Sequence, residues 1–420
     1  MSIVATDPST SASSTDESGT AAPTPDELVA RARALRERIR ELQPEHAMLG
    51  TYSPEIHEAF LEAGLYDLLR PKRYGGLEVS LETFFRVAIE ISRADPGVGW
   101  SWELGASHAY QFASHWPKAS QDEVFGSAHP FISPSRAFPQ RSEVVPVEGG
   151  YRLSGRWDYN SGCTYGTHFM PVAPIEQPDG TKPLFMFILP REQFTIIDDW
   201  GYGKTIGLHA SSSNSIEIDD VFVPAHNVVP FNFKDVEWGD HGTPGYELHG
   251  SPLYLGRTSS FFIIGLTQTQ VGAALACMDE YEHLMSRGAS FPPRIPRAES
   301  PHYQLWYGQV VSLAESAQTL LLGAIREFEQ LNRAWTEGGA EFTTADDVRI
   351  RGQVVQAARL AQEAIDIAFT TAGTTSAGLA GTKLGKYFTD AAMYRTHIGA
   401  QHDVLLASQG RVMLGQPLTM

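Results

Sequence analysis

The sequence predicts an α+β protein in which an N-terminal helical domain, a middle antiparallel β domain and a C-terminal four-helix bundle follow one another. Three observations lead to this class. Apolar residues recur at helical spacing over the first third, short alternating runs fill the middle, and four long amphipathic stretches complete the chain. A chain of 420 residues also exceeds one typical core. We therefore expect domains at 26–130, 131–240 and 241–420, after a disordered tail at 1–25.

The N-terminal domain is predicted to be helical. Residues 1–25 are rich in Ser, Thr, Ala, Pro and Asp, a composition that buries too little apolar surface to offset the ordering of the chain. Beyond them, apolar residues recur at helical spacing, and Asp95-Pro96-Gly97 is a helix stop. The predicted helices begin at Asp26 and cover 54–63, 81–92 and 98–116.

The middle domain is predicted to be an antiparallel sandwich or barrel. Its short alternating runs are separated by Gly, Pro, Asn and Asp, a spacing that is typical of all-β domains. The predicted strands are 142–147, 151–159, 169–175, 184–189 and 215–223.

The C-terminal domain is predicted to contain four long helices, over 258–286, 303–336, 344–372 and 384–410. Helices of this length often build oligomer interfaces.

Composition narrows the class of partner and the compartment. The formal net charge is −17, which argues against nucleic acid or an anionic membrane as the main partner. Cys163 and Cys277 form no Cys-x-x-Cys motif, and no two histidines stand four apart, so we expect neither a disulfide framework nor a metal site. The N-terminus resembles no secretory leader, and the apolar stretches are too short to span a bilayer. We expect a cytoplasmic protein.

The stretch 149–167 carries the most informative side chains. Alternation places Trp157, Tyr159 and Ser161 on one face of a predicted strand, as two aromatic planes followed by a hydroxyl. Such a row suits a flat heteroaromatic ring, which would stack on the aromatic planes and hydrogen-bond at its edge. An ordinary half-buried strand with aromatic core residues is the alternative that periodicity alone favours.

Four phrases in order resemble the acyl-CoA dehydrogenase fold and, more closely, the oxygenase components of two-component flavin-dependent monooxygenases of group D. They are GVGWSWELGASH at 97–108, GGYRLSGRWDYNSG at 149–162, GLHASSSNSIEIDDVFVP at 207–224 and LGKYFTDAAMYRTHIG at 384–399. The resemblance covers roughly 26–420. The chain departs from the family pattern at Lys386, Thr389 and His209, where arginines are usual.

A carboxylate base distinguishes the dehydrogenases of this fold from its monooxygenases. An acyl-CoA dehydrogenase needs a carboxylate to remove the α-proton of its substrate. The two places where the family carries that glutamate, 367–389 and 251–278, contain neither Asp nor Glu. The sequence therefore favours a monooxygenase. The alternatives are an FAD-dependent desaturase with an unmatched base and a non-catalytic flavin-binding homologue.

The resemblance implies a cofactor and its partners. Reduced flavin (FMNH2 or FADH2) would come from a separate NAD(P)H:flavin reductase and bind between the β domain and the C-terminal bundle. Dioxygen would add at flavin C4a, and the resulting hydroperoxyflavin would oxygenate an aromatic or polycyclic small molecule. The family expectation for assembly is a homotetramer.

The resemblance also implies roles for individual residues. Ser161 would hydrogen-bond near flavin N5, and His108 would deprotonate or orient a phenol. His397, expected on one helix face with Asp390 and Tyr394, would hold or protonate the peroxide with a pKa near neutrality. The remaining expected cofactor contacts are Trp157, Tyr159, Ser213, Arg257 and Gly373.

Overall fold

The structure is a computed structural model that describes residues 22–127, 129–231, 242–290 and 292–418. The predicted order of a helical, a β and a second helical region is confirmed. The predicted tail falls mostly on residues 1–21, which lie outside the described residues, and so does the predicted boundary at 240.

The N-terminal region consists of helices that pack on one another and on the C-terminal helices. Asp95 was predicted to stop a helix. It also caps the next one, because its Oδ1 accepts from Gly97 N at 2.8 Å and Pro96 occupies the first turn. The predicted helix over 98–116 is interrupted at Ser107. The helices are α1 (Pro25–Ala34), α2 (Arg36–Glu41), α3 (Gln43–Leu49), α4 (Pro54–Glu62), α5 (Leu81–Ala94), α6 (Pro96–Ala106), α7 (His108–His115) and α8 (Lys118–Phe125).

The middle region is a sandwich of two sheets. The strands are β1 (Ser135–Arg136), β2 (Arg141–Val147), β3 (Gly150–Trp157), β4 (His168–Pro174), β5 (Leu184–Phe187), β6 (Leu189–Pro190), β7 (Thr195–Ile197), β8 (Ser215–Pro224) and β9 (Val228–Pro230). One sheet has the order β2-β3-β8-β7, and the other has β1-β4-β5-β9 with β6 on β4. The pairs are antiparallel except β1 with β4. Inward residues of both sheets, such as Leu153, Ile216 and Phe169, form one buried cluster.

The C-terminal region places a long central helix against the N-terminal helices. Helix α10 packs on α5, α11 and α12. It approaches α5 so closely that a Cβ at Gly272 would lie 2.3 Å from the side chain of Ser92. The helices are α9 (Pro244–His249), α10 (Ser259–Met285), α11 (Pro301–Thr336), α12 (Thr344–Ala372), α13 (Lys383–Tyr394) and α14 (His402–Met413).

The last predicted helix, 384–410, is wrong as one element, because the chain breaks between α13 and α14. The break follows from local residues. The hydroxyl of Thr396 donates to Met393 O, and His397 takes an extended backbone conformation with ψ of 143°. Gly399 then passes close to α10, where a Cβ would lie 2.3 Å from Leu266. This break brings His397 to the junction of the three regions.

The expectation that every apolar stretch is too short for a bilayer does not hold for α10 by length and composition. Among the described residues this helix alone meets that test, with a mean hydropathy of 1.5 over its most apolar window. However, 89% of that window is buried inside the fold. Such burial is typical of a core helix.

Candidate active site

Two adjoining cavities lie where the β sandwich meets α6, α7, α10 and the break after α13. We call them the His108 cavity, of about 250 Å³, and the Ser213 cavity, of about 380 Å³, after a residue that lines only that cavity. They share six lining residues and thus form one continuous site. The shared residues are Arg136, Phe138, Tyr159, Ser161, His397 and Ile398.

The turn after β3 positions Tyr159 and Ser161. The strand ends at Trp157, and Tyr159 adopts a left-handed conformation with φ of 66°, which is uncommon for a bulky residue. Asn160 holds this turn, because its backbone N–H donates to Asn214 O at 3.0 Å and its side-chain amide donates to the same oxygen at 2.9 Å. The ring of Tyr159 therefore leaves the sandwich and stands in the cavity wall, with 57% of its surface exposed.

Trp157 lies in the sandwich core instead of the site, so the structure corrects the predicted row of three side chains. Its surface is fully buried, its indole N–H donates to Val172 O at 3.0 Å, and its ring meets Phe169 edge-on. The strand alternation stops at Trp157, so Tyr159 and Ser161 do not continue its face. The core alternative, which periodicity alone favoured, holds for this residue.

A chain of hydroxyls runs along the Ser213 cavity. The indole N–H of Trp100 donates to Ser161 Oγ at 2.8 Å. Ser161 Oγ and Ser213 Oγ are 2.7 Å apart, and Ser211 Oγ is 2.7 Å from Ser213 Oγ. When Ser211 donates to Ser213 and Ser213 donates to Ser161, the proton of Ser161 is left for a ligand. Ser161, Ser213 and Ser211 thus form a hydrogen-bonded edge of the cavity.

His397 lines both cavities, although it does not share a helix face with Asp390 and Tyr394 as predicted. Its Nδ1 accepts from Gly399 N at 3.0 Å, so the neutral ring carries its proton on Nε2. Burial, together with the neighbouring Arg136, lowers the pKa of His397 to about 4. The expected pKa near neutrality is therefore corrected: at neutral pH this side chain is an uncharged N–H donor.

His108 lines only the cavity named after it. Its Nδ1 is 2.6 Å from Leu104 O, and because a carbonyl oxygen only accepts, Nδ1 carries the proton and Nε2 the lone pair. Burial lowers the pKa of His108 to about 4. The two histidines therefore differ in their tautomers, since Nε2 carries the proton in His397 and the lone pair in His108.

Two expected cofactor contacts do not line the cavities. The Arg257 guanidinium is folded onto the segment before α12, where it donates to Phe342 O at 2.9 Å and to Thr344 Oγ1 at 3.2 Å. Gly373 ends α12 with φ of 84°. The structure thus gives both residues local roles in the chain.

Sequence reasoning missed Arg136. This residue lies in the short strand β1, and its guanidinium is 5.7 Å from the ring centre of Tyr159. A single arginine in a Ser- and Pro-rich connection forms no motif, so no pattern in the sequence points to it. Only the parallel pairing of β1 with β4 brings it to the site.

No carboxylate lines either cavity among the described residues. Glu103, next to Leu104 in the chain, is buried against α10, where a Cβ at Gly265 would lie 2.5 Å from Glu103 Oε1. Burial raises the pKa of Glu103 to about 8, which keeps it largely protonated at neutral pH. Within the part of the chain that the structure describes, the site therefore offers no carboxylate base.

The wall residues fit a flat heteroaromatic group such as flavin. The ring of Tyr159 offers a plane, Ser161 and Ser213 offer hydroxyls at one edge, and apolar side chains such as Leu208 and Met393 complete the Ser213 cavity. These are the stacking and edge contacts that a flavin ring requires.

Family models place the chain in a class. The acyl-CoA dehydrogenase N-terminal domain matches residues 25–123, and the acyl-CoA dehydrogenase C-terminal domain matches residues 264–402. Together they span more than half of the chain, which belongs to the acyl-CoA dehydrogenase family. The predicted resemblance and fold class are confirmed.

Individual relatives narrow the comparison. The oxygenase subunit of a flavin-dependent monooxygenase from Rhodococcus jostii is 25% identical, with 93% of this chain and 98% of that protein covered. The oxygenase component of the FADH2-dependent resorcinol hydroxylase from Rhizobium sp. is 28% identical, with 86% and 88% covered. The solved structure of XiaF from Streptomyces sp., in complex with FADH2, has a TM-score of 0.84 at 24% identity, with 94% and 97% covered.

Proposed function

We propose that the chain is the oxygenase component of a two-component flavin-dependent monooxygenase that hydroxylates an aromatic or polycyclic small molecule. The observation that carries the proposal is the continuous site in which Tyr159, Ser161 and two uncharged histidines converge and no described residue supplies a carboxylate. Two relatives support it. Both are oxygenase components, and this chain matches them over 98% and 88% of their length.

Reduced flavin is the proposed cofactor, delivered by a separate NAD(P)H:flavin reductase. Tyr159, Ser161 and Ser213 would hold it, whereas Arg257 and Gly373 are not included because they do not line the site. Bound reduced flavin supplies two electrons and activates dioxygen, of which one atom enters the substrate and the other leaves as water. FADH2 is favoured over FMNH2, since the resorcinol hydroxylase and XiaF are both described with it.

The chain's own groups would place protons around the reacting oxygen. His397 Nε2–H would donate a hydrogen bond to the oxygen that is transferred, and it is suited to this as a neutral donor. Ser161 would hold the flavin edge with its free proton. Both groups slow the competing release of hydrogen peroxide by keeping the oxygen oriented towards the substrate.

His108 would orient the substrate. A base whose pKa is about 4 is too weak to deprotonate a phenol, whose pKa is about 10, so we propose that Nε2 accepts a hydrogen bond from the substrate hydroxyl. The apolar walls, with Phe262 and Leu266 among them, would exclude water from the same cavity.

We propose a homotetramer as the assembly. Large apolar side chains are exposed on the C-terminal helices and the segments that join them, among them Leu305, Leu379 and Leu414, as expected of surfaces that meet another copy. Light scattering should then give four times the 46.1 kDa chain mass. A mass of one chain would contradict this assembly.

The test uses labelled dioxygen with a flavin reductase, NADH, FAD and a panel of phenols and indoles. We expect one labelled atom in the product. The variants Ser161→Ala and His397→Ala should form less product per reduced flavin and more hydrogen peroxide, whereas the matched controls Ser142→Ala and His226→Ala, outside the site, should not. Reduction of bound FAD by an acyl-CoA thioester without labelled product would instead identify a dehydrogenase.

A further inference from the structure

The guanidinium of Arg136 stands in the wall of both cavities without an anionic partner. No described residue forms a salt bridge or a hydrogen bond with it, and its Nε is buried without a hydrogen-bond partner. Its close neighbour is the face of Tyr159, 5.7 Å away. Asp158 acts on the charge of Arg136 only from beyond salt-bridge distance, and burial lowers the pKa of Arg136, so the cation is incompletely compensated.

The charge of the site is opposite to that of the chain. The chain carries a formal net charge of −17, yet the described lining of the His108 cavity contains Arg136 and Arg351 and no Asp or Glu. Arg351 hydrogen-bonds Ser259 Oγ at 3.0 Å and Leu405 O at 3.2 Å, and the buried carboxylate of Asp347 acts on its charge. Among the described lining residues, Arg136 is therefore the charge that would attract an anion into the His108 cavity.

The walls of the same cavity suit a small apolar body. Phe138, Phe262, Ile263, Leu266 and Leu405 surround a volume of about 250 Å³, with Arg136 on the side of Tyr159. Apolar walls with one charged group are typical of sites that orient a small aromatic ligand by its polar end.

We propose that the substrate is an aromatic acid whose carboxylate pairs with Arg136 while its ring lies in the His108 cavity. This rests on the proposed function and names its substrate class. A planar guanidinium binds a carboxylate through two parallel hydrogen bonds, so it would fix the orientation of the ring towards His397 and His108.

The test measures binding by calorimetry, without turnover. Benzoate, phenylacetate, naphthoate and indole acetate are each compared with the corresponding amide, which has the same shape without the charge. At least one acid should bind about tenfold tighter than its amide, because a charge-assisted pair contributes on that order. If no acid of the panel binds better than its amide, the proposal is wrong.

Variants locate the preference at Arg136. Arg136→Gln should abolish it and Arg136→Lys should retain part of it, because the charge remains but the planar fork is lost. Arg152→Gln is the matched control, since Arg152 is exposed and pairs with Asp220 outside the site. A preference that survives in Arg136→Gln would overturn the proposal.

A second measurement tests whether Arg136 binds the substrate or the flavin. The affinity for reduced FAD is measured anaerobically for the wild type and Arg136→Gln. A loss confined to reduced FAD would overturn the proposal, because it would assign the guanidinium to the flavin. The acid preference can persist when labelled dioxygen gives no product, and that result would contradict the proposed function alone.

Discussion

Two partly buried cations of the described chain, Lys386 and Arg136, have different surroundings. Lys386 Nζ lies 2.9 Å from Asp95 Oδ1 and 2.6 Å from Asp390 Oδ2, both on fully buried side chains. Asp390 in turn accepts from Leu208 N at 2.6 Å, which ties α13 to the β region. By contrast, Arg136 faces a cavity and has no such partner among the described residues.

The difference distinguishes a structural charge from a functional one. Lys386 stands where an arginine is usual in the family pattern. Through Asp95 and Asp390 it connects α13 with the N-terminal helices and with Leu208 of the β region, and it lines neither cavity. A buried charge whose anions are supplied by the chain stabilises the fold only as a set. A charge without an anion, in a cavity, marks a place for a ligand.

The largest expected effect breaks the paired cluster. Lys386→Met should lower the free energy of unfolding by about 3–5 kcal/mol, because it leaves two buried aspartates close together without their cation. Urea unfolding measures the change. The matched control is Lys204→Met, which removes an exposed pair with Asp198 and should cost about 1 kcal/mol or less. Equal effects of the two variants would contradict the structural role of Lys386.

The next comparison separates the core aromatic from the cavity aromatic. Trp157→Phe removes the donor to buried Val172 O and should lower the free energy of unfolding by about 1–3 kcal/mol. Tyr159→Asn tolerates the left-handed backbone, so it should change that energy by about 0.5 kcal/mol or less and weaken binding of reduced FAD instead. The opposite pattern would indicate that Trp157, and not Tyr159, contacts the flavin.

Titration of His397 examines how the unpaired cation acts on its neighbour. Burial and Arg136 lower the pKa of this ring from 6.5 to about 4. Between these values the unfolded chain binds the proton and the folded chain does not, so the stability from the neutral ring is lost as pH falls from 6.5 to 4. In Arg136→Gln, NMR of labelled histidine should give a higher pKa for His397. An unchanged value would exclude the influence of Arg136.

A small effect is expected on the stability of Arg136→Gln. Because no described carboxylate loses its partner, the free energy of unfolding should change by about 1 kcal/mol or less, or increase. Urea unfolding beside Lys386→Met makes the contrast direct. A loss as large as that of Lys386→Met would mean that Arg136 has a structural partner.

Periodicity predicted the regular elements well because their side chains repeat. Helix α12 runs over Thr344–Ala372 as predicted, and strand β8 differs from its prediction by one residue. Periodicity failed where one residue changes the backbone. The left-handed backbone of Tyr159 ends the alternation of β3, and the extended backbone of His397 interrupts the predicted helix 384–410.

The sequence predicted site residues only where they lie in a stretch that resembles the family pattern. Ser161, His108 and His397 came from the family resemblance, and the structure brings all three to the cavities even though the helical argument for His397 was wrong. Arg136 could not be found in this way, since its position depends on the pairing of β1 with β4 and on the turn that presents Tyr159. Whether a charge has a partner of opposite sign depends on residues that are neighbours only in the folded chain.

The most direct measurement needs no substrate. The protein is mixed anaerobically with reduced FAD, and separately with reduced FMN, and then with dioxygen in a stopped-flow spectrometer. If the site activates dioxygen as proposed, flavin reoxidation shows a separate, longer-lived phase than free flavin, and this phase is shortened in Ser161→Ala but not in Ser142→Ala. Reoxidation that cannot be distinguished from that of free flavin would contradict the oxygenase function.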